Sequence, residues 1–444
     1  MRNKYRNTDS SIKAGDLILT EQPFAFVLSS KEQGSRCDNC LEKGKVLKCS
    51  GCQFVYYCGR ACQRDAWGDH KWECANFKRV APKVLPDGAR MLAKIINRLY
   101  RDYSDLKSDT KRMDHFTSLC VVLYEFLKDI SLPNTVELMG LYGRMVINSF
   151  MILDIDMNSI GTGIYLASSI LDHSCDPNAV AIFDGKTINI RAIKDMPCLD
   201  WNQYLFQNVL IADENQLKHV HGAICLNKQC NEPVTIPWKE DCLLVRRPEK
   251  TEVNEPSNSK AEKQEENSTD LNKIEENGVD EKDALHCKEC GTKYTDKHVD
   301  VFVKTMEFTH LHLQNMERAS VAYVDVCQYC LDRQEGVLHP LNVMHAQTLD
   351  HAFDALIQVQ LWDKACVYAE KLIPCFRFYY GDRNPLLGLL HLKYGKILLF
   401  KMDVEKALAQ LKCAEKIIKM THGDRHPLYK EQLLPLLQQA IMES

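Results

Sequence analysis

Residues that could bind metal ions are concentrated between positions 37 and 74. They form two Cys-x2-Cys pairs, then a Cys-x3-Cys pair and a His-x3-Cys pair. The eight residues are Cys37, Cys40, Cys49, Cys52, Cys58, Cys62, His70 and Cys74. Thiolate and imidazole are ligands that zinc prefers, and eight of them suffice for two tetrahedral sites. The segment is too short for a large apolar core, so we expect metal binding to supply most of its folding free energy.

The alternative for these residues is a set of buried or disulfide-bonded cysteines, but eight ligands at metal-binding spacing favour zinc. Their order, and the segment VLKCSGCQFVYYCGRACQRDAWGDHKWEC, resemble the MYND zinc finger. In that finger the ligand pairs interleave along the chain. The resemblance implies one zinc on Cys37, Cys40, Cys58 and Cys62, and a second on Cys49, Cys52, His70 and Cys74.

The composition of the 444 residues is that of a globular protein with two or more domains, since 45% are hydrophobic and 26% are charged. The net charge of −4 argues against a chain built as a whole for nucleic-acid binding. The 20 cysteines cluster at metal-binding spacing and the N-terminus does not resemble a signal peptide, which predicts a reducing compartment. No apolar run is long enough for a membrane helix, so we expect the cytoplasm, the nucleus or both.

Hydrophobic patterning predicts both strands and helices. Short strands are predicted at Leu17–Leu19 and Phe24–Leu28, and a hairpin about Asp184-Gly185 joins Ala179–Phe183 to Thr187–Ile193. Helical periodicity covers residues 84–130 and continues through 136–153.

From about residue 300 to the end the sequence is predicted to be helical. Two similar helix–turn–helix segments lie about forty residues apart, and Ala407 and Ala414 have the small-residue spacing of tetratricopeptide repeats. An unrelated helical bundle would show the same apolar stripes.

Residues 249–284 hold twelve acidic and five basic residues with very few apolar ones. This composition predicts a solvated, disordered insertion. An acidic decoy for a basic partner is the functional alternative.

Deleting Glu252–Glu281 is therefore expected to leave the melting temperature within about 2 °C of the original, because loop-closure entropy depends weakly on loop length. Thermal unfolding of the full chain and the deletion variant measures this. A large drop would show that the segment packs against the folded protein.

A second chemical signal is the heptapeptide from Asp172 to Asn178, which reads Asp-His-Ser-Cys-Asp-Pro-Asn. It resembles the Asn-His-Ser-Cys-x-Pro-Asn motif of SET-domain methyltransferases. A strand segment, a MYND finger, a helical insert and then this motif is the order found in the SET and MYND domain (SMYD) family. The chain is most similar to the histone-lysine methyltransferase branch of that family.

The resemblance implies an α+β fold, in which a SET-type β-rich domain carries the finger and a helical insert and precedes an all-α tetratricopeptide-like domain. The expected regions are an N-terminal SET portion (1–35), the MYND finger (36–78), the helical insert (79–150), an incomplete SET core (151–204), a degenerate post-SET and cysteine-pair region (205–247), the acidic insertion (248–284), a second cysteine pair (285–299) and the helical domain (300–444).

The family implies transfer of a methyl group from S-adenosylmethionine to a lysine amine. Such chemistry needs a neutral lysine in a dry channel, held in line with the sulfonium methyl group. Matching of motifs implies that Asn148, Asp172 and His173 contact the cofactor. A helix-surface amide is the alternative role for Asn148, and a structural histidine is the alternative for His173.

Three departures from the family bear on activity. The N-terminus has no Gly-x-Gly loop, and Asp172 stands where the family has asparagine. Between Gln203 and Tyr204 the chain lacks the family's strand with the catalytic-type tyrosine, so the catalytic residue is unknown. A splice form or a gene-model effect would account for the gap.

The family's post-SET zinc motif is also lost. Asn208, Leu210 and Asp213 stand at its cysteine positions. The motif cysteine Cys175 is then expected to be a buried free thiol.

Further cysteine pairs flank the acidic insertion. Cys225-x4-Cys230 and Cys287-x2-Cys290 could complete one more zinc site, with the insertion as a loop between them. Cys327 and Cys330, in a segment predicted to be helical, are more typical of a buried core.

The predicted function is S-adenosylmethionine-dependent methylation of histone or other protein lysines, with activity impaired in this chain. Folding is predicted to depend on zinc. The alternative is an inactive adaptor in transcriptional regulation. The family implies proline-rich peptides as partners of the finger. The excess of basic residues in Arg36–Arg79 is compatible with weak DNA contact. We expect a monomer without membrane association.

Overall fold

The computed structural model describes residues 11–98, 110–127, 133–171, 176–196, 214–238, 285–319 and 323–444. They form a mixed structure of helices and strands with a helical C-terminal region. The chain divides into two compact units, one of Met1–Asn208 with Tyr380–Ser444 and one of Val209–Tyr379. Residues 300–444, predicted as one helical domain, are thus divided between the two units.

The described strands of the first unit are β1 (Leu17–Glu21), β2 (Ala25–Leu28), β3 (Leu47–Lys48), β4 (Tyr56–Tyr57), β5 (Ser149–Leu153), β6 (Ser159–Ile164), β7 (Ala179–Asp184) and β8 (Thr187–Ala192). They form two three-stranded antiparallel sheets, in the orders β1-β8-β7 and β2-β6-β5, and a two-stranded ribbon of β3 and β4. In the second unit, β9 (Gly222–Ala223) pairs with β10 (Val234–Thr235).

The strands predicted near residues 17 and 24 are confirmed as β1 and β2, but they join different sheets because β1 pairs with β8 and β2 pairs with β6. Pro23 lies between them and has no N–H group to extend a ladder. The predicted hairpin is also confirmed. Asp184 pairs with Thr187, and Gly185 has a φ of +55°, which glycine adopts without steric cost.

Twelve α-helices lie in the described part of the chain. They are α1 (Arg60–Val80), α2 (Asp87–Arg98), α3 (Thr110–Phe126), α4 (Thr135–Asn148), α5 (Glu214–Val220), α6 (Asp296–Ala319), α7 (Val324–Gln334), α8 (Val343–Gln358), α9 (Trp362–Tyr380), α10 (Pro385–Phe400), α11 (Val404–Thr421) and α12 (Leu434–Glu443). None of these helices combines the length and apolarity needed to span a membrane.

Helix α4 begins with Asn134, whose side chain accepts hydrogen bonds from the backbone N–H groups of Val136 and Glu137. The helix ends at Asn148, so the prediction of helical structure over 136–153 is wrong from Ser149 onward. From Ser149 onward the backbone forms the inter-strand hydrogen bonds of β5 with β6. The apolar residues of β5 suit either element, and pairing with a neighbouring strand decides between them.

Two apolar cores support the first unit. One joins the finger to α2, α3 and α4 and includes Phe77, Leu92 and Phe126. The other lies among the strands and includes Tyr165 and Ile190. The finger therefore shares its core with the helical insert, so loss of the finger's fold would also expose apolar residues of these helices.

Helices α10 and α11 pack closely through small residues. Ala407 and Ala414 are fully buried, and a β-carbon at Gly395 would lie 2.8 Å from Leu411 Cγ. The small residues at these positions allow the two helix backbones to approach each other. The tetratricopeptide-like and SET-type classifications stay predictions.

Candidate metal centres and cofactor site

The first cysteine cluster is formed by the beginning of the finger and the start of α1. Its ligands are Cys37, Cys40, Cys58 and Cys62, whose sulfur atoms all lie within 4.8 Å of one another. The Sγ–Sγ distances are 3.8 Å for Cys40–Cys58 and 3.4 Å for Cys58–Cys62. A tetrahedron with Zn–S bonds of about 2.3 Å has edges of about 3.8 Å, so the donor set fits zinc.

The second cluster is fully buried and joins the β3–β4 region to the middle of α1. Its ligands are Cys49, Cys52, His70 and Cys74. The Sγ atoms of Cys49 and Cys74 are 4.0 Å apart, and His70 Nε2 is 3.5 Å from Cys52 Sγ. His70 and Cys74 lie one helical turn apart on α1, which directs both side chains to the same point. The structure thus groups the eight residues in the two sets that the resemblance implied.

Glu73 orients the imidazole of the second cluster. Its Oε2 lies 3.5 Å from His70 Nδ1, while Nε2 of the same ring faces Cys52. Metal-ligating histidines commonly donate their second N–H to a carboxylate, which fixes the ring and its tautomer. The arrangement therefore prepares Nε2 to bind the metal.

The carboxylate of Glu73 belongs to a buried charge network. Arg90 Nε is 3.0 Å from Glu73 Oε1, and Arg90 Nη1 is 2.9 Å from Asp38 Oδ1. Lys94 Nζ lies 3.7 Å from Glu73 Oε2. Burial raises the pKa of Glu73, but the charges of Arg90 and Lys94 outweigh burial and lower it, so the group is ionised.

Asp38 connects this network to the first cluster, because it lies between two of the ligands, Cys37 and Cys40, and also accepts a 2.9 Å hydrogen bond from the Tyr56 backbone N–H. Arg90 thus bridges the surroundings of both metal clusters from helix α2. This network joins residues that are far apart in sequence, so short-range patterns do not predict it. The available signal was Arg90 directly beside Met91 and Leu92, which are buried in α2.

A third cluster lies in the second unit. It consists of Cys225, Cys230, Cys287 and Cys290, with all four sulfur atoms within 4.8 Å. The two pairs are therefore brought together as the spacing suggested.

Cys327 and Cys330 lie on α7 and are fully buried. Cys327 Sγ is 3.7 Å from Met316 Sδ, and the described residues bring no group of three or more metal ligands to this pair. Burial raises the pKa of both thiols to about 11, so they are neutral, as expected for core residues.

Both ends of the segment that contains the heptapeptide are anchored. The Glu21 carboxylate at the end of β1 accepts hydrogen bonds from the backbone N–H groups of Ala167 and Ser168, at 3.0 and 2.9 Å. At the other end, Ile193 N–H donates to the Asn178 carbonyl at 2.8 Å. Asp172, His173 and Cys175 themselves lie outside the described residues, as do Gln203, Tyr204, Asn208, Leu210, Asp213 and the acidic insertion.

Asn148 is half-buried at the junction of α4 and β5. Its Nδ2 donates a 2.8 Å hydrogen bond to the Arg144 carbonyl one turn earlier. Its Oδ1 is the atom that could accept a hydrogen bond from a cofactor.

Comparison with known proteins covers the finger and the chain as a whole. The MYND finger family model matches residues 37–74. Histone-lysine N-methyltransferase SMYD3 of Mus musculus is 25% identical over 447 aligned residues, covering 96% of this chain and 92% of the relative. N-lysine methyltransferase SMYD2-A of Danio rerio is 21% identical, covering 94% and 92%. Histone-lysine N-methyltransferase ASHR1 of Arabidopsis thaliana is 23% identical, covering 96% and 90%.

The chain is a homologue of the SMYD lysine methyltransferases. The similarity extends far beyond the finger, since it covers at least 94% of this chain. The MYND finger with its clustered cysteines and histidine supports zinc binding by this SMYD homologue.

Tyr165 is the described tyrosine nearest in sequence to the heptapeptide 172–178, and its hydroxyl group already donates a hydrogen bond within the fold. The side chain is fully buried between Phe150 and Phe183, and the hydroxyl donates a 2.6 Å hydrogen bond to the Lys186 carbonyl. Tyr165 is therefore a core residue whose hydroxyl group has a partner within the fold.

Proposed function

We propose that this chain is a protein-lysine methyltransferase that uses S-adenosylmethionine and acts on histone or other protein lysines. The observation that supports the proposal is the extent of the similarity, which covers at least 90% of each of the three methyltransferase relatives. A match limited to residues 37–74 would have supported only an interaction module. The comparisons therefore favour the enzyme over the inactive adaptor.

Asn148, Asp172 and His173 are the residues proposed to hold the cofactor, which supplies an electrophilic methyl group on a sulfonium. The anchors at Glu21 and Asn178 support this assignment, because they fix the two ends of the segment that carries Asp172 and His173. The role of the three residues is to bind and orient the cofactor, so that its methyl group points along the line of attack.

The rate of this chain is proposed to be low, because the tyrosine segment is missing after Gln203. In the family that segment completes the lysine channel, where a hydroxyl group orients the amine. Without that segment the lysine amine is neither shielded from water nor aligned with the methyl group of the cofactor. Tyr165 does not compensate, since its hydroxyl bonds to Lys186.

Insertion of a family-type tyrosine segment after Gln203 is expected to raise the methylation rate by on the order of 10²-fold, the size of effect that alignment of the reacting groups can supply. The measurement is transfer of labelled methyl from S-adenosylmethionine to core histones by the original chain and by the insertion variant.

The matched control carries the same insertion with phenylalanine in place of the tyrosine, and it should gain far less. His173→Ala should change little in the original chain but lower the rate of the insertion variant. Equal and robust methylation by the original chain and the tyrosine variant would contradict the proposed impairment and show that another group replaces the missing tyrosine.

The partners and location follow from the same proposal. A MYND finger is a protein-interaction module, and we propose proline-rich peptides as its ligands, with weak DNA contact through its basic residues. We also propose that the chain is a monomer and that it acts in the cytoplasm and nucleus.

A further inference from the structure

We propose that Cys225, Cys230, Cys287 and Cys290 bind a third zinc ion, which is separate from the MYND finger and lies in the second unit. Their sulfur atoms lie within 4.8 Å of one another. The Sγ–Sγ distances are 3.5 Å for Cys225–Cys290 and 3.8 Å for Cys230–Cys287. These values are close to the edge of about 3.8 Å expected for four sulfur ligands around one zinc.

The first knuckle of the MYND finger gives a backbone pattern for comparison. Cys37 N–H donates to the Glu42 carbonyl at 3.1 Å, and Leu41 N–H donates to the Cys37 carbonyl at 2.9 Å. Leu41, directly after the second cysteine of the pair, has a φ of +67°. Arg36 and Lys43 form an antiparallel bridge on either side. This tight loop turns the two thiols of the pair toward one point.

The Cys287–Cys290 pair has the same pattern at every one of these positions. Cys287 N–H donates to the Thr292 carbonyl and Gly291 N–H donates to the Cys287 carbonyl, both at 2.9 Å. Gly291, again directly after the second cysteine, has a φ of +70°. His286 and Lys293 form the flanking antiparallel bridge. The two segments thus share a loop that presents two thiols to a metal.

The second pair of ligands comes from the chain after β9. A turn in which Cys230 N–H donates to the Asn227 carbonyl at 2.9 Å brings Cys230 back toward Cys225. The two halves of the site are also joined by protein contacts, since Tyr294 Oη donates to the Ile224 carbonyl. The four thiols are therefore gathered by ordered backbone.

Two disulfide bonds do not explain the cluster. A disulfide requires a sulfur–sulfur distance of about 2.05 Å, whereas the Sγ–Sγ distances are 3.5 Å for Cys225–Cys290 and 3.8 Å for Cys230–Cys287. All four sulfur atoms converge on one point, whereas disulfides would divide them into two separate pairs. Four thiolates select zinc or iron among the common metals, and zinc matches the rest of the chain's cysteine chemistry.

The proposed zinc joins the two ends of the acidic insertion. Cys230 precedes the insertion and Cys287 follows it, so the metal closes a long loop at its base. Composition and length of that loop then have little effect on the fold of the second unit. The deletion of Glu252–Glu281 should accordingly retain the third metal ion.

The test is the metal content of the purified full chain, measured by native mass spectrometry and elemental analysis. We expect three zinc ions per chain, and two after the double substitution Cys287→Ala and Cys290→Ala. The matched control Cys413→Ala, at a half-buried cysteine on α11 outside the three clusters, should retain all three.

Two zinc ions in the unsubstituted chain would overturn the proposal, and this count does not depend on whether any variant folds. Three zinc ions that persist in the double variant would also overturn it, because the third ion would then lie elsewhere. One iron atom with two zinc ions would contradict the choice of metal.

Discussion

Replacing Cys49 with serine is expected to release the zinc of the second MYND cluster and to unfold the finger. The thiol is buried, and its Sγ lies 4.0 Å from that of Cys74. Metal binding by small zinc domains contributes on the order of 10 kcal/mol to their folding, and a tetrahedral site that loses one ligand loses much of this free energy. The loss should extend into α2, α3 and α4, because the finger shares their core.

Zinc content and urea unfolding of the full chain measure this effect. Cys49→Ser should contain at least one zinc ion fewer than the unsubstituted chain, and two fewer where unfolding of the finger is complete. Cys120→Ser is the matched control, since Cys120 is a half-buried thiol in none of the three clusters. An unchanged zinc content in Cys49→Ser would show that Cys49 is not a ligand.

Replacing Arg90 with methionine is expected to lower the free energy of unfolding by about 3–5 kcal/mol, since it leaves buried charges without their main partner. The side chains of Asp38 and Glu73 are only 2% and 1% exposed, and each lies within 3.0 Å of the guanidinium group. Lys94, at 3.7 Å, would remain near Glu73 but is not within hydrogen-bond reach of it.

Lys83→Met provides the control for Arg90→Met. Lys83 forms an ion pair with Glu125 in which both side chains are more than half exposed, so its loss should cost less than about 1 kcal/mol. Urea unfolding of the two variants at neutral pH makes the comparison. Similar small losses in both would contradict the account of the buried network and show that water reaches the carboxylates.

The metal ligands could be predicted from sequence because they depend on residue type and short spacing. The Cys-x2-Cys pairs and the one-turn spacing of His70 and Cys74 are local features, and metal geometry leaves few ways to combine them. The hairpin at Gly185 was predictable for a similar reason, since a two-residue turn and two alternating strands lie next to each other in sequence.

Features that depend on distant contacts were not predictable. The change from helix to strand after Asn148 results from the pairing of β5 with β6. Strands β1 and β2 lie in different sheets because β1 pairs with β8 and β2 pairs with β6. Helices α10 to α12 belong to the same compact unit as strands β1 to β8, and this too depends on contacts between residues far apart in sequence. His426 Nε2, for example, lies 3.0 Å from the Phe183 carbonyl, 243 residues earlier.

The central claim is that this SMYD homologue methylates lysine. The direct measurement is to incubate the tyrosine-segment variant with labelled S-adenosylmethionine and core histones, and to identify the labelled residue by mass spectrometry. The account predicts label on lysine side chains, and its loss when Asn148→Ala and His173→Ala are added. No label above that of the doubly substituted protein, or label on a residue other than lysine, would contradict it.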